Sequence, residues 1–184
     1  MAGNGTGDFG DFVPFLVTET HGIWGAAQKV QDAAIYAGDV STLSSVSCAW
    51  AGHCAAGGRY MDGRECCDQT FVVTQTGGTW GTAGEVPGIG APSNQDAAVT
   101  SVSCVPSGRC SAGGYWQDPS FRYHAIVTSE RNGTWGRARD VPGTDSLSTS
   151  GAQVFAVSCV TAGSCTEGGS YTDASGHQQA FVTR

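Results

Sequence analysis

Tryptophans 24, 80 and 135 recur at intervals of 56 and 55 residues, and the same intervals separate Cys48, Cys104 and Cys159. The second cysteines Cys54, Cys110 and Cys165 keep that register, as do the glycine pairs Gly57-Gly58, Gly113-Gly114 and Gly168-Gly169 and the acids Asp62, Asp118 and Asp173. A chain built this way must fold into repeated supersecondary units, each burying its apolar face against the next. The units read as 15–70, 71–125 and 126–180, with 181–184 opening a fourth and 1–14 forming a glycine-rich N-terminal tail. Residues 15–184 are thus one repeat-built domain.

Within a unit, apolar positions alternate with period two and polar or glycine turns interrupt them at short intervals, so each unit predicts four strands and the class is all-β. Glycine at 28 of 184 residues and a single lysine, Lys29, leave little from which to build helices. Strand one is the SVSC segment. Strand two carries the double glycine, where a side chain is excluded because another backbone or the centre of an assembly comes close. Strand three is FLVTET, FVVTQT or AIVTSE, and strand four starts at the tryptophan after an HG, GG or NG turn. The tryptophans are first of all core anchors.

Polar connections of about a dozen residues join strand four of one unit to strand one of the next, long enough to cross a four-stranded sheet. Sheets of this kind, tightly joined inside and loosely joined between, predict β-propeller blades. A β-trefoil or β-prism monomer is the alternative. The unit around 101–143, SVSC…C.AGG.Y.D…FVVT.T.GTWG.A.EVPG in composite form, resembles the tandem repeats of actinobacterial, mostly secreted, propeller-like proteins. That resemblance implies a fold and says little of function. Three units are too few for an ordinary closed ring. The expectation is therefore half of a six-bladed propeller completed by homodimerisation, with strands three and four at the start of the chain complementing strands one and two at its end.

Each cysteine pair, Cys48/Cys54, Cys104/Cys110 and Cys159/Cys165, brackets the turn between strands one and two. Five intervening residues do not suit zinc, and the four histidines are not repeated, so disulfides are favoured and no metal or cofactor is assigned. Each bridge would stabilise by about 2 kcal/mol. Oxidised pairs place the protein outside the cytosol, although the first residues do not read as a signal peptide. Cys66 and Cys67 have no counterpart and read as a loop disulfide or two thiols, with a redox or ligand-gating role as the alternative.

A formal charge of −7 argues against nucleic acid as a partner, and no apolar run is long enough for a membrane span. No Ser/His/Asp set or facing carboxylate pair stands out, so the chain reads as non-enzymatic, an asymmetric site at His124 or His177 carrying little weight. The hairpin before each tryptophan resembles the sialidase aspartate box, but Thr74-Gln75-Thr76 stands where its aspartate would be. What recurs is an aromatic two residues before an acid: Tyr60 with Asp62, Trp116 with Asp118, and Tyr171 with Asp173. Aromatic faces with nearby carboxylates suit sugars, and repeated weak sites gain by multivalency. Trp116, with Tyr115, Arg122, Tyr123 and His124 around it, is the densest cluster. These residues define a multivalent carbohydrate-binding module, lectin-like. The alternative is a self-assembling scaffold in which the same aromatics are buried and the acids cap turns. An enzyme acting on glycans is the third reading.

Overall fold

The computed structural model describes residues 2–6, 12–31, 40–61, 67–89 and 95–183. Asp62 and Cys66 lie outside them. The first sheet joins β1 (Ala2–Thr6), β2 (Phe12–Leu16) and, beyond the small hairpin β3 (Glu19–Thr20) and β4 (Ile23–Trp24), β5 (Gln28–Lys29). The second runs β6 (Ser41–Trp50), β7 (His53–Met61), β8 (Asp68–Thr76) and β9 (Thr79–Trp80) in that order. The third repeats the pattern with β10 (Ala97–Cys104), β11 (Cys110–Gln117), β12 (Tyr123–Arg131) and β13 (Thr134–Trp135), and β14 (Arg139–Asp140) returns to pair with β12. After one helical turn, α1 (Thr144–Leu147), the fourth sheet is β15 (Ala152–Thr161), β16 (Ser164–Thr172) and β17 (Gln178–Thr183). Strand pairing within every sheet is antiparallel.

Three apolar layers fill the spaces between successive sheets. Leu16, Leu43, Tyr60 and Phe71 fill the first, Val72, Val99 and Val102 the second, and Ala125, Val154 and Phe181 the third. Neighbouring residues such as Phe71 and Val72 thus enter opposite layers, as side chains alternating on a strand buried on both faces must. Successive sheets stack through strand one, β6 against β10 and β10 against β15.

Two motifs owe their spacing to this stacking. A Cβ on Gly57 would come within 2.6 Å of Val99 Cγ1, and one on Gly113 within 2.6 Å of Val154 Cγ1, so in the first two pairs the first glycine admits a valine of the next sheet. The second glycine lies under a bulge of strand one, where a Cβ on Gly58, Gly114 or Gly169 would strike the carbonyl oxygen of Thr42, Ala98 or Gln153. The serines of SVSC bridge sheets. The Val102 and Cys104 amides donate to the Ser45 and Ser47 hydroxyls at 3.0 and 2.9 Å, and the Val157 and Cys159 amides donate to Ser101 and Ser103, both at 3.0 Å. The otherwise open backbone edge of strand one is thereby satisfied without continuing the sheet.

Cys48–Cys54, Cys104–Cys110 and Cys159–Cys165 are disulfides between residues opposite each other in their hairpins, and they point to an oxidising environment. Cys67 is also disulfide-bonded. Among the described residues no helix is long and apolar enough to cross a membrane.

Two sequence expectations need correction. Residues 2–6 are not tail. They pair as a strand with Phe12–Leu16, and Gly3 takes the place opposite Phe15 that Gly58 takes opposite Phe71. The first sheet therefore holds strands two to four and the last holds strands one to three, so the ends overlap in strands two and three and do not complement each other strand for strand. The double glycine that marks strand two elsewhere is reduced there to Ala2-Gly3, which hid the strand.

Candidate functional site

The aromatic of strand two has a fixed partner in strand four. The Tyr60 hydroxyl donates to Glu85, and the Trp116 indole N–H donates to Asp140 Oδ1 at 3.3 Å; Glu85 and Asp140 hold the same repeat position, before Val-Pro-Gly. Burial then separates the units. Tyr60 is 3% exposed and belongs to the first apolar layer, which withdraws it from any ligand surface. Trp116 and Tyr171 are half-buried, Tyr171 against the third layer.

The acids that follow are turn caps. Asp118 Oδ1 accepts the Ser120 and Arg122 amides at 2.8 and 3.0 Å, while Oδ2 lies 3.1 Å from His124 Nε2. Asp173 repeats this with the Ser175 and His177 amides at 2.9 and 3.0 Å and Gln179 Nε2 at 2.9 Å. The bond from His124, then the backbone donors, holds the Asp118 carboxyl below its ordinary range; the bond from Gln179 leads in doing the same for Asp173.

The cluster foreseen around Trp116 does assemble. The indole stacks on His124 with ring centres 4.7 Å apart, and Tyr115 meets Tyr123 edge to face at 5.3 Å. Arg122 Nη2 donates to the Asp145 and Ser148 carbonyls at 3.1 and 3.0 Å and so ties α1 to the strand-two turn. Asp140 and Asp145, which sequence reasoning did not select, complete the group.

Sequence reasoning also missed a cleft of about 640 Å³ between the first two sheets, into which Trp24, Trp50 and Trp80 converge. Trp24 and Trp50 are each 50% exposed. Trp50 is held by stacking on His53 at 4.4 Å, and His53 Nε2 lies 2.9 Å from the Gly108 carbonyl of the next sheet. Glu19, Gln28 and Gln75 supply polar groups in the lining. Two buried atoms there lack a hydrogen-bond partner among the described residues: the Trp80 indole nitrogen and Gln75 Oε1. One sheet on, the equivalent Trp135 donates to Thr74 Oγ1 at 3.2 Å. Trp50 is not a repeat position, so the periodicity that revealed the fold could not reveal this cleft.

The Gln75 position braces the hairpin that resembles an aspartate box. Gln75 Nε2 donates to the Gly78 carbonyl at 3.0 Å, and its counterpart Glu130, fully buried, accepts the Gly133 amide.

No protein-family model matches the chain, and neither does any curated protein. Among solved structures, Hadza microbial sialidase Hz136 aligns with 94% of the chain at a TM-score of 0.55 and 13% identity. The chain is similar to that sialidase in fold. It spans 38% of the sialidase's length.

Proposed function

We propose that the protein is a non-enzymatic carbohydrate-binding module whose ligand lies in the cleft between the first two sheets. The observation that carries this reading is the convergence of Trp24 and Trp50, half-exposed, with Trp80 on one cleft. Indole faces stack on the C–H face of a sugar ring, and the exposed Glu19 carboxylate and Gln28 amide in the lining suit its hydroxyls. The volume suits a mono- or disaccharide. Among the described lining residues Glu19 is the one carboxylate, whereas hydrolysis by paired carboxylates needs two. The likeness to a sialidase fold supports a sugar ligand by analogy alone.

A glycan array on the purified protein tests the proposal, with Trp24→Ala and Trp50→Ala alongside. Binding lost in both variants at an unchanged thermal midpoint is the expected result; a blank array, or binding that both variants retain, overturns it.

We further propose that a second copy of the chain covers the last sheet, which supplies the multivalency of a lectin. Phe155, Val160 and Val182 are 50%, 79% and 76% exposed on that sheet, whereas Val105, which holds the repeat position of Val160, is 2% exposed beneath it. Light scattering should give twice the 18.8 kDa chain mass. A monomer at all concentrations rules the dimer out.

A further inference from the structure

Unit two departs from the repeat at a titratable position beside Trp116. Tyr60, Trp116 and Tyr171 lie opposite Gln69, His124 and Gln179 in their hairpins, so His124 stands where the other units have glutamine. In unit three the Gln179 amide donates to Asp173 Oδ2; in unit two His124 Nε2 meets Asp118 Oδ2 in the same way. An ionised carboxylate can only accept, so Nε2 carries the proton. In the neutral ring, Nδ1 is then left with its lone pair.

That atom is shut off from solvent and has no hydrogen-bond partner among the described residues. It lies 3.5 Å from Asp145 Oδ1. A lone pair facing a carboxylate is repulsive unless a cation stands between them. One His124 ring nitrogen and one carboxylate oxygen each from Asp140 and Asp145 lie within 4.8 Å of one another. Among the described residues the Asp118, Asp140 and Asp145 carboxylates have one arginine ion pair, Arg122 Nη2 at 3.4 Å from Asp145 Oδ1.

We propose that His124 Nδ1, Asp140 and Asp145 bind a divalent transition-metal cation of the zinc class. One imidazole nitrogen and two carboxylates form an ordinary zinc donor set that leaves a fourth position to solvent. The outer contacts follow the same logic. Asp118 accepts the other ring N–H of His124, fixing its tautomer, and the Trp116 N–H orients Asp140. Both carboxylate ligands are exposed, so an ion can reach the site and draw them in. Histidines that do not repeat gave no such signal in the sequence. Asp140 and Asp145 come near His124 only because the strand-four return and α1 both pack over the strand-two turn.

Titration calorimetry with zinc chloride, paired with histidine nitrogen NMR, tests this. One zinc ion per chain is expected, with a shift of the His124 Nδ1 resonance and a higher thermal midpoint. Asp140→Asn with Asp145→Asn should weaken binding on the order of 10–100-fold. His124→Gln, which installs the residue of the other two units and keeps the bond to Asp118, should abolish it without loss of fold. Absence of saturable binding at millimolar zinc overturns the proposal. So does binding unchanged in these variants, or a His124 ring that is protonated on both nitrogens and indifferent to zinc.

Discussion

Sheets three and four are built from the same repeat yet present opposite surfaces. On sheet three, a Cβ on Gly113 would lie 2.6 Å from Val154 and Val157 of the next sheet, and Val105 is buried. On sheet four, a Cβ on Gly168 would meet nothing closer than the Phe181 carbonyl at 3.7 Å, and Val160 is 79% exposed. Strand two reads mostly buried in β11 and half-buried in β16. The motif therefore encodes a face that expects a neighbour, whether or not one is present. Its apolar positions become either a core or a sticky surface according to what stacks on them.

The sharpest way to break this comparison is to make one substitution at both ends of the burial scale. Tyr60→Ala should cost about 3–5 kcal/mol, because the ring is buried among Phe71 and Leu43 and Glu85 loses its donor. Tyr171→Ala, at the same repeat position but half-buried, should cost well under half as much. Chemical denaturation of both variants measures the difference. Equal losses would mean that the fourth sheet is as covered in solution as the second.

The part of the molecule that was legible in advance is the part that repeats. Alternation gave the strands, cysteine spacing gave the three disulfides, and the serines of the SVSC segment recur in the same register. Their role became visible only when Ser45 and Ser101 were found accepting amides of Val102 and Val157, since a contact between sheets leaves no mark on local periodicity. Sequence placed Tyr60 and Trp116 on one face and could not weigh their burial, which depends on neighbouring sheets. The cleft at Trp24 and Trp50 and the carboxylates beside His124 escaped for the opposite reason. Trp50, His124 and Asp145 have no equivalent in the other units, and packing alone brings them to the repeat positions Trp24 and Asp140.

A smaller effect should separate the two first glycines. Gly113→Ala forces a methyl group against two valines and should cost roughly 1–3 kcal/mol, while Gly168→Ala, with open space before it, should stay within about 0.5 kcal/mol. Thermal melts at several protein concentrations make the pair informative. If Gly168→Ala is harmless in dilute solution and costly in concentrated solution, a second copy stacks on the last sheet; if it matches Gly113→Ala at every concentration, the face is filled from within one chain.

The smallest expected effect concerns the caps that both sheets share. Asp118 and Asp173 have carboxyl groups held below the ordinary value of 3.8 by side-chain donors, His124 and Gln179, and by backbone amides. A carboxyl depressed in the folded state adds stability that is present above its unfolded value and disappears as the pH falls through the folded one. Both turns should therefore hold through mildly acidic conditions and loosen only below the usual aspartate range. Carboxyl NMR titration reads this directly: both midpoints should lie under 3.8, and Asp118 should stay depressed in His124→Gln, because the amide of a glutamine already serves Asp173 in that role. If Asp118 instead returns to its ordinary value in that variant, imidazole charge rather than the geometry of the bond holds the carboxyl down, and the equivalence of the two turns fails.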